Sequence, residues 1–318
     1  MRYVIYGAGA IGGTIGGKLY QHGHGVTLIC RGNHLEACRR NGLTLHTPDG
    51  TEALAIPAAA VPSEVDWRPG DVVILAVKSQ DTAAALLALR SAAGDVPVIC
   101  AQNGVANERT ALRIFSRVYG MVVWMPATHL QPGEVIAHSS PVAGVLDAGL
   151  YPSGSDALID QVMSDLSASG FAAIPQPDIM RQKYAKLLSN LANIVQALCG
   201  DSAAGTIVTR LRDEALAVYH AAGIDFATPE ELSARTRNVT VKPVPGMDAR
   251  LGGSTWQSLT RGGSLETDYL NGEIALLGGL HGVPTPMNRI LQLAATEATR
   301  DNRAPGSFTT DELLGRLA

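Results

Sequence analysis

Cysteine is scarce: four residues in 318 (Cys30, Cys38, Cys100 and Cys199), far apart and never in a CxxC pair. A disulfide framework or a zinc site of ordinary spacing is therefore unsupported. Cys30 and Cys100 end apolar runs and read as small buried hydrophobes in a reduced compartment, so a cytoplasmic location is expected. Aromatics are only 5% of the chain, which argues against an aromatic-lined binding module. Charged residues are few, 17%, and nearly balanced, with a formal net charge of −4. No basic face is implied, so no nucleic-acid partner is expected. No apolar stretch reaches the ~18 residues of a membrane span, so no membrane partner is expected. The apolar N-terminus is broken by Gly7, Gly9, Gly12, Gly13, Gly16 and Gly17, which does not suit a signal-peptide core. His22, His24, His129, His138, His220 and His281 have neither metal-ligand nor triad spacing, and no G-x-S-x-G elbow occurs.

What the chain does have is 46% hydrophobic residues, enough for a sizeable core, and a length that suits two domains. Tyr3–Tyr6, Val26–Cys30, Asp71–Val77 and Val96–Cys100 are short, unalternating apolar runs, the pattern of parallel strands buried on both faces. Asp81–Ala93 reads as a helix that Asp81 could cap. Val118–Met125, Glu134–His138 and Val142–Leu146 are weaker strands expected to extend the same sheet, and Asp156–Ser169 a last helix on it. Alternating strands and helices predict an α/β fold: an N-terminal Rossmann-type doubly wound parallel sheet over residues 1–174. Beyond Pro175-Gln176-Pro177 strands largely vanish. Asp178–Leu198, Ala203–Ala222, Thr228–Arg237, Leu265–Leu280 and Pro286–Arg300 read as helices, predicting an all-helical domain over 178–318. Val239–Gly253 reads as an ordered loop or lid.

Gly7-Ala8-Gly9-Ala10-Ile11-Gly12 is G-x-G-x-x-G directly after the first strand and opening a helix. Gly7 suits the tight turn, Gly9 lets backbone approach a pyrophosphate, and Gly12 lets helix and strand pack closely. The N–H groups at Ala10 and Ile11 then face the phosphates, where the helix end is partly positive. At the end of the second strand, where an NAD site usually carries an acid, stands Arg31. A guanidinium there can fork onto a 2′-phosphate, which favours NADP(H). Lys78 and Asn103 each follow a strand at its C-terminal end, where open α/β sheets bind ligands.

Lys186, Asn190 and Asn193 fall at i, i+4, i+7, one stripe of a helix, with Leu188, Leu191, Val195 and Leu198 on the opposite side. Asparagine is a poor helix former, so the stripe suits a polar cleft better than a solvated face. Lys183 lies near the same face and is a rival for any lysine chemistry. Ser254 follows Gly252-Gly253, and Glu266 falls in the first turn of a helix that Ser264 could cap.

Taken in order, GAGAIGG (Gly7–Gly13), AVK (Ala76–Lys78), QNGV (Gln102–Val105), KLLSN (Lys186–Asn190), STWQS (Ser254–Ser258), ETDYLNG (Glu266–Gly272) and PTPMN (Pro284–Asn288) resemble the ketopantoate reductase (2-dehydropantoate 2-reductase) family over nearly the whole chain. The resemblance implies an N-terminal Rossmann domain, a helical C-terminal domain and reduction of 2-dehydropantoate with NADPH in pantothenate biosynthesis. It implies Lys186 and Glu266 as catalytic residues, and Gly7, Gly9, Ala10, Ile11, Gly12, Arg31, Lys78 and Asn103 at the cofactor. Asn103, Asn190, Asn193 and Ser254 would hold substrate, with no metal, and a homodimer is a candidate assembly. Three positions depart from the family pattern. Ile194 stands where a second asparagine is usual, Tyr184 where a tryptophan is, and Ser258 where an acid is. They concern the substrate, and leave open another 2-oxo acid or, in another class, an NADPH sensor without turnover.

Overall fold

Strands covered on both faces need apolar side chains at every position, and the chain supplies them where the sheet lies. The structure, a computed structural model, describes residues 1–200, 205–248 and 252–317. Its strands are β1 (Arg2–Tyr6), β2 (Gly25–Ile29), β3 (Leu43–Thr47), β4 (Gly50–Leu54), β5 (Ala58–Ala59), β6 (Asp71–Leu75), β7 (Val98–Cys100), β8 (Val118–Met121), β9 (Ala127–Thr128), β10 (Glu134–Ala137) and β11 (Ala148–Leu150). Seven of them form one sheet in the order β11-β8-β7-β6-β1-β2-β5, parallel throughout except that β11 runs antiparallel to β8. Successive residues of β1 serve opposite faces: Tyr3 and Ile5 join one apolar core, Val4 the other. Strand order reverses between β1 and β6, which is where such sheets bind ligands.

Glu134–His138 was expected to extend this sheet and does not. Its burial alternates, with Val135 and Ala137 inward, so only one face is covered. It forms β10 in a second sheet, β4-β3-β10-β9, built on the β3–β4 hairpin. Val142–Leu146 is likewise no strand of its own. Val145 donates to the Trp124 carbonyl and Leu146 to that of Ala172, and regular pairing begins only at Ala148.

The helices are α1 (Ala10–Gln21), α2 (Gly32–Asn41), α3 (Thr82–Ala93), α4 (Asn107–Leu112), α5 (Ala157–Ala168), α6 (Ile179–Asn190), α7 (Asn193–Cys199), α8 (Gly205–Ala222), α9 (Pro229–Thr236), α10 (Ser254–Thr260), α11 (Asn271–His281), α12 (Pro286–Arg300) and α13 (Thr310–Gly315). The start of the predicted 203–222 helix and residues 249–251 of the predicted loop lie outside the described residues. No described helix is long and apolar enough to cross a membrane. Asp81 occupies the N-cap of α3, but its carboxylate caps nothing and instead pairs with Arg31 at 3.3 Å.

Two compact units result: Met1–Lys183 with Thr228–Arg250, and Tyr184–Ala227 with Leu251–Ala318. The expected boundary at 175–177 is not a linker. Gln176 donates to the Ala148 carbonyl at 2.8 Å, and Pro175 bridges Ala148 at the sheet edge. The return of α9 to the first unit also has a local cause. Arg235 forks onto the fully buried Asp147 carboxylate at 2.7 and 2.5 Å, and Arg181 pairs with Glu231 at 3.2 Å. Downstream, Lys242 donates to the His138 carbonyl.

The second unit is helical in all its described elements. The helix predicted over 178–198 is broken at Leu191–Ala192, between α6 and α7. Asn271 donates to the Leu191 carbonyl at the break, and also to Asn288. Asn288 in turn donates to the Leu211 carbonyl and to Glu214. Glu214 accepts the backbone N–H groups of Met287 and Asn288 and so caps α12. The motifs ETDYLNG and PTPMN thus supply the clasp that holds the break. Asn288→Ala leaves buried partners unmatched, and a loss of about 2–3 kcal/mol is expected in urea unfolding.

Candidate active site

The nucleotide half lies in the first unit, along the carboxyl ends of β1, β2, β6 and β7. Gly7 follows β1 with φ +102°, and a Cβ there would meet the backbone of Ala76 and Val77 at 2.7–2.8 Å. Gly12 lies against its neighbours: a Cβ would come within 2.1 Å of the Gly7 carbonyl and 2.8 Å of Ile5. Gly9 is different. Its Cβ would meet nothing within 4 Å, so no protein packing requires glycine there. That open space beside an α1 N-terminus no side chain caps is what a pyrophosphate would use. The residues fit a dinucleotide. Arg31 follows Cys30 at the end of β2, its side chain 84% exposed, with Asp81 as its ion-pair partner. Lys78 follows β6 and Asn103 follows β7.

A side-chain network that sequence reasoning missed fixes these loops. Gln102 donates to the Val77 carbonyl at 2.7 Å and to Thr82 at 2.8 Å. Thr82 donates to Asn107, which donates to the Asn103 carbonyl at 3.0 Å. Below it lies a buried ion pair. Lys183 donates to the Gln102 carbonyl at 3.0 Å and pairs with Glu108, the two side chains 2% and 0% exposed. The rival lysine is thus committed to holding the Asn103 loop from beneath.

The remaining candidate residues lie in the second unit. Lys186 is half-buried on α6, one turn before Asn190. Asn190 is only 8% exposed, and its amide nitrogen is buried without a hydrogen-bond partner. Such a group costs stability unless something binds it. Asn193 opens α7 and is half-buried. Gln196 accepts the Gly253 N–H at 2.9 Å, and a Cβ at Gly253 would lie 3.7 Å from the side-chain oxygen (Oδ1) of Asn193. Asn193 and the start of α10, which is Ser254, are therefore neighbours. Ser254 is exposed and opens α10. Glu266 is not in a first helical turn. It precedes a 3-10 turn, Thr267–Tyr269, and α11 starts only at Asn271.

Residues 3–148 match the family model described as Ketopantoate reductase PanE/ApbA, and residues 178–297 match its C-terminal counterpart. The chain belongs to the ketopantoate reductase family. A 2-dehydropantoate 2-reductase of Pyrococcus horikoshii is 30% identical over 301 residues, 92% of this chain and 95% of that protein. Among solved structures, a PanE/ApbA family ketopantoate reductase from Ralstonia eutropha shares 28% identity and a TM-score of 0.78 over 95% of this chain and all of that one. D-mandelate dehydrogenase, in its ternary structure with NADH and anilino(oxo)acetate, shares the fold: TM-score 0.80 at 24% identity, over 96% and 100% of the two chains. As a ketopantoate reductase family member, the chain is an oxidoreductase acting on a CH–OH group.

Two of the three departures within this family have a structural account. Ile194 is buried in the core of the second unit. Tyr184 stacks edge-on with Tyr219, ring centroids 5.4 Å apart, and its carbonyl accepts the Tyr219 hydroxyl. Ser258 is buried in α10, and nothing in the structure explains why a serine stands there.

Proposed function

We propose that this ketopantoate reductase family member reduces a 2-oxo acid to a 2-hydroxy acid with NADPH, its substrate being 2-dehydropantoate, the compound its curated relatives are named for. The observation that carries the reading is Asn190: a buried amide donor left unpartnered one turn beyond a lysine. A substrate carboxylate or hydroxyl satisfies that donor. When bound, the reduced nicotinamide supplies the hydride for the carbonyl carbon. Lys186, as ammonium, donates a hydrogen bond to the carbonyl oxygen and then gives up a proton as alkoxide charge develops. Asn190, Asn193 and Ser254 hold the carboxylate and hydroxyl of the substrate, and Glu266 orders the lysine. Asn103 orients nicotinamide and substrate, held by Asn107 from behind. Gly7, Gly9, Ala10, Ile11 and Gly12 carry the pyrophosphate, and Lys78 meets a phosphate or ribose.

Support for NADPH over NADH comes from Arg31. Its partner Asp81 sits at 3.3 Å in an exposed pair, which a 2′-phosphate readily replaces as the guanidinium's partner. Arg31→Ala is expected to raise KM for NADPH about tenfold and to leave KM for NADH little changed. The direct test is NADPH oxidation, followed by absorbance, with 2-dehydropantoate and a panel of other 2-oxo acids. Turnover of 2-dehydropantoate with a strong NADPH preference is expected. Cofactor binding without that turnover overturns the substrate assignment. A second reading, another 2-oxo acid, draws on Ile194, because the family's second asparagine is here a core side chain.

A further inference from the structure

Cysteines that look isolated in the sequence meet in the fold. Cys30 directly follows β2, Cys38 lies on the second turn of α2, and His34 stands one turn before Cys38 on the same helix. Both sulfurs and a His34 ring nitrogen lie within 4.8 Å of one another, and the two cysteines are 8% and 2% exposed.

A metal is the first candidate for such a trio, and the histidine argues against it. Its Nδ1 accepts the Gly133 backbone N–H at 2.8 Å, so Nδ1 carries no proton. Nε2 lies 2.8 Å from the Ala8 carbonyl, which can only accept, so Nε2 holds the proton. Neither nitrogen keeps a lone pair for an ion. Two thiolates remain, half of what a structural zinc takes. The same Nε2–H lies 3.8 Å from the Cys38 sulfur. Cys38 therefore has both the Cys30 sulfur and the His34 N–H close to its own sulfur.

We propose that Cys30 and Cys38 are a reversible dithiol–disulfide pair, oxidised by a small hydroperoxide. The Cys38 thiolate attacks one peroxide oxygen. The O–O bond breaks, Cys38 becomes a sulfenic acid, and the leaving oxygen departs as water with a proton from Cys30. The Cys30 thiolate then attacks the Cys38 sulfur. An S–S bond forms, and hydroxide leaves and is protonated to water. In sum, two thiols lose two electrons and two protons, and one hydrogen peroxide becomes two waters. Hydrogen bonding from Cys30, opposed by burial and aided by His34, lowers the Cys38 thiol, which favours it as the attacking group. Donating to Cys38, together with burial, pushes the Cys30 thiol up, which suits the resolving group. A disulfide needs the sulfurs about 2 Å apart, so closure moves one side chain by no more than about 3 Å.

The pair adjoins the nucleotide half at two points. Cys30 immediately precedes Arg31, and His34 is bonded to Ala8, inside the glycine-rich turn. Closing the disulfide draws α2 toward β2 and shifts Arg31. The effect on the cofactor rests on the proposed NADPH reading, whereas the disulfide does not.

The test treats the reduced, full-length protein with hydrogen peroxide, removes the peroxide, unfolds the protein in guanidinium with N-ethylmaleimide so that every remaining thiol is blocked, and maps peptides by mass spectrometry. Expected are a Cys30–Cys38 linked peptide, alkylated Cys100 and Cys199, and reversal by a phosphine reductant. Cys30→Ser should instead leave a Cys38 sulfenic acid that dimedone traps. Peroxide that leaves Cys30 and Cys38 alkylatable, or zinc co-purifying one per chain with both thiols protected, overturns the proposal. NADPH affinity, measured by nicotinamide fluorescence, is expected to fall about tenfold on oxidation and to be peroxide-insensitive in a Cys30→Ser/Cys38→Ser protein. A linked peptide from a protein that binds no NADPH in either state refutes the cofactor reading and leaves the thiol pair standing.

Discussion

Replacing Lys186 with alanine is expected to lower kcat about 10²–10⁴-fold, the worth of a positioned general acid. NADPH affinity should be unchanged, because the residues assigned to the cofactor all lie in the first unit and Lys186 lies in the second. Lys186→Arg separates charge from proton. A guanidinium keeps the hydrogen bond and the positive charge but does not release a proton near neutral pH. It should restore substrate KM more than kcat. Steady-state kinetics with NADPH and 2-dehydropantoate checks both variants, and turnover at the wild-type rate in Lys186→Ala removes Lys186 from the mechanism.

Lys183→Met should fail in the opposite manner. It strands the Glu108 carboxylate, fully buried, without its partner. Breaking such a pair costs about 3–5 kcal/mol, seen as an earlier midpoint in urea unfolding. Adding Glu108→Leu to the same chain should recover most of that loss, since two well-packed apolar groups replace the pair with little net cost. The Asn103 loop also loses the Lys183 bond to the Gln102 carbonyl, so the double variant should regain stability ahead of activity. Two lysines three residues apart thereby give separable results: one sets rate, the other stability. A Lys183→Met protein of unchanged stability contradicts the structural role assigned here.

Much of the frame was legible because its signals are local. β1, β2, β6 and β7 announce themselves as unbroken apolar runs, and the glycine turn is read from spacing alone. The β3–β4 hairpin was not read, because β4 is exposed at Gly50, Thr51, Glu52 and Ala53 and carries almost no apolar pattern. The helix break after Asn190 was hidden as well. Leu191 and Ala192 are good helix formers, and the interruption is held by Asn271, eighty residues downstream. On the site side, the residue types of Lys186, Asn190 and Asn193 were readable from periodicity. The choice between Lys183 and Lys186 was not, since it turns on Glu108, seventy-five residues upstream. The thiol pair was missed for a related reason. Cys30 follows β2 and Cys38 lies on the next helix, so no short-motif spacing describes them. The four-residue step from His34 to Cys38 was the only local signal.

The ion pair between Asp147 and Arg235 makes the first unit discontinuous in a chemically enforceable way. A chain ended after Lys183 would lose the guanidinium that partners and covers the Asp147 carboxylate, so the nucleotide half is not a portable module. Any hybrid that exchanges the helical half with a relative must transplant residues 184–227 and 252–317 as two separate inserts, keeping the native 228–248 strap between them. Recombination at a single point in this gene is disfavoured by that one buried carboxylate.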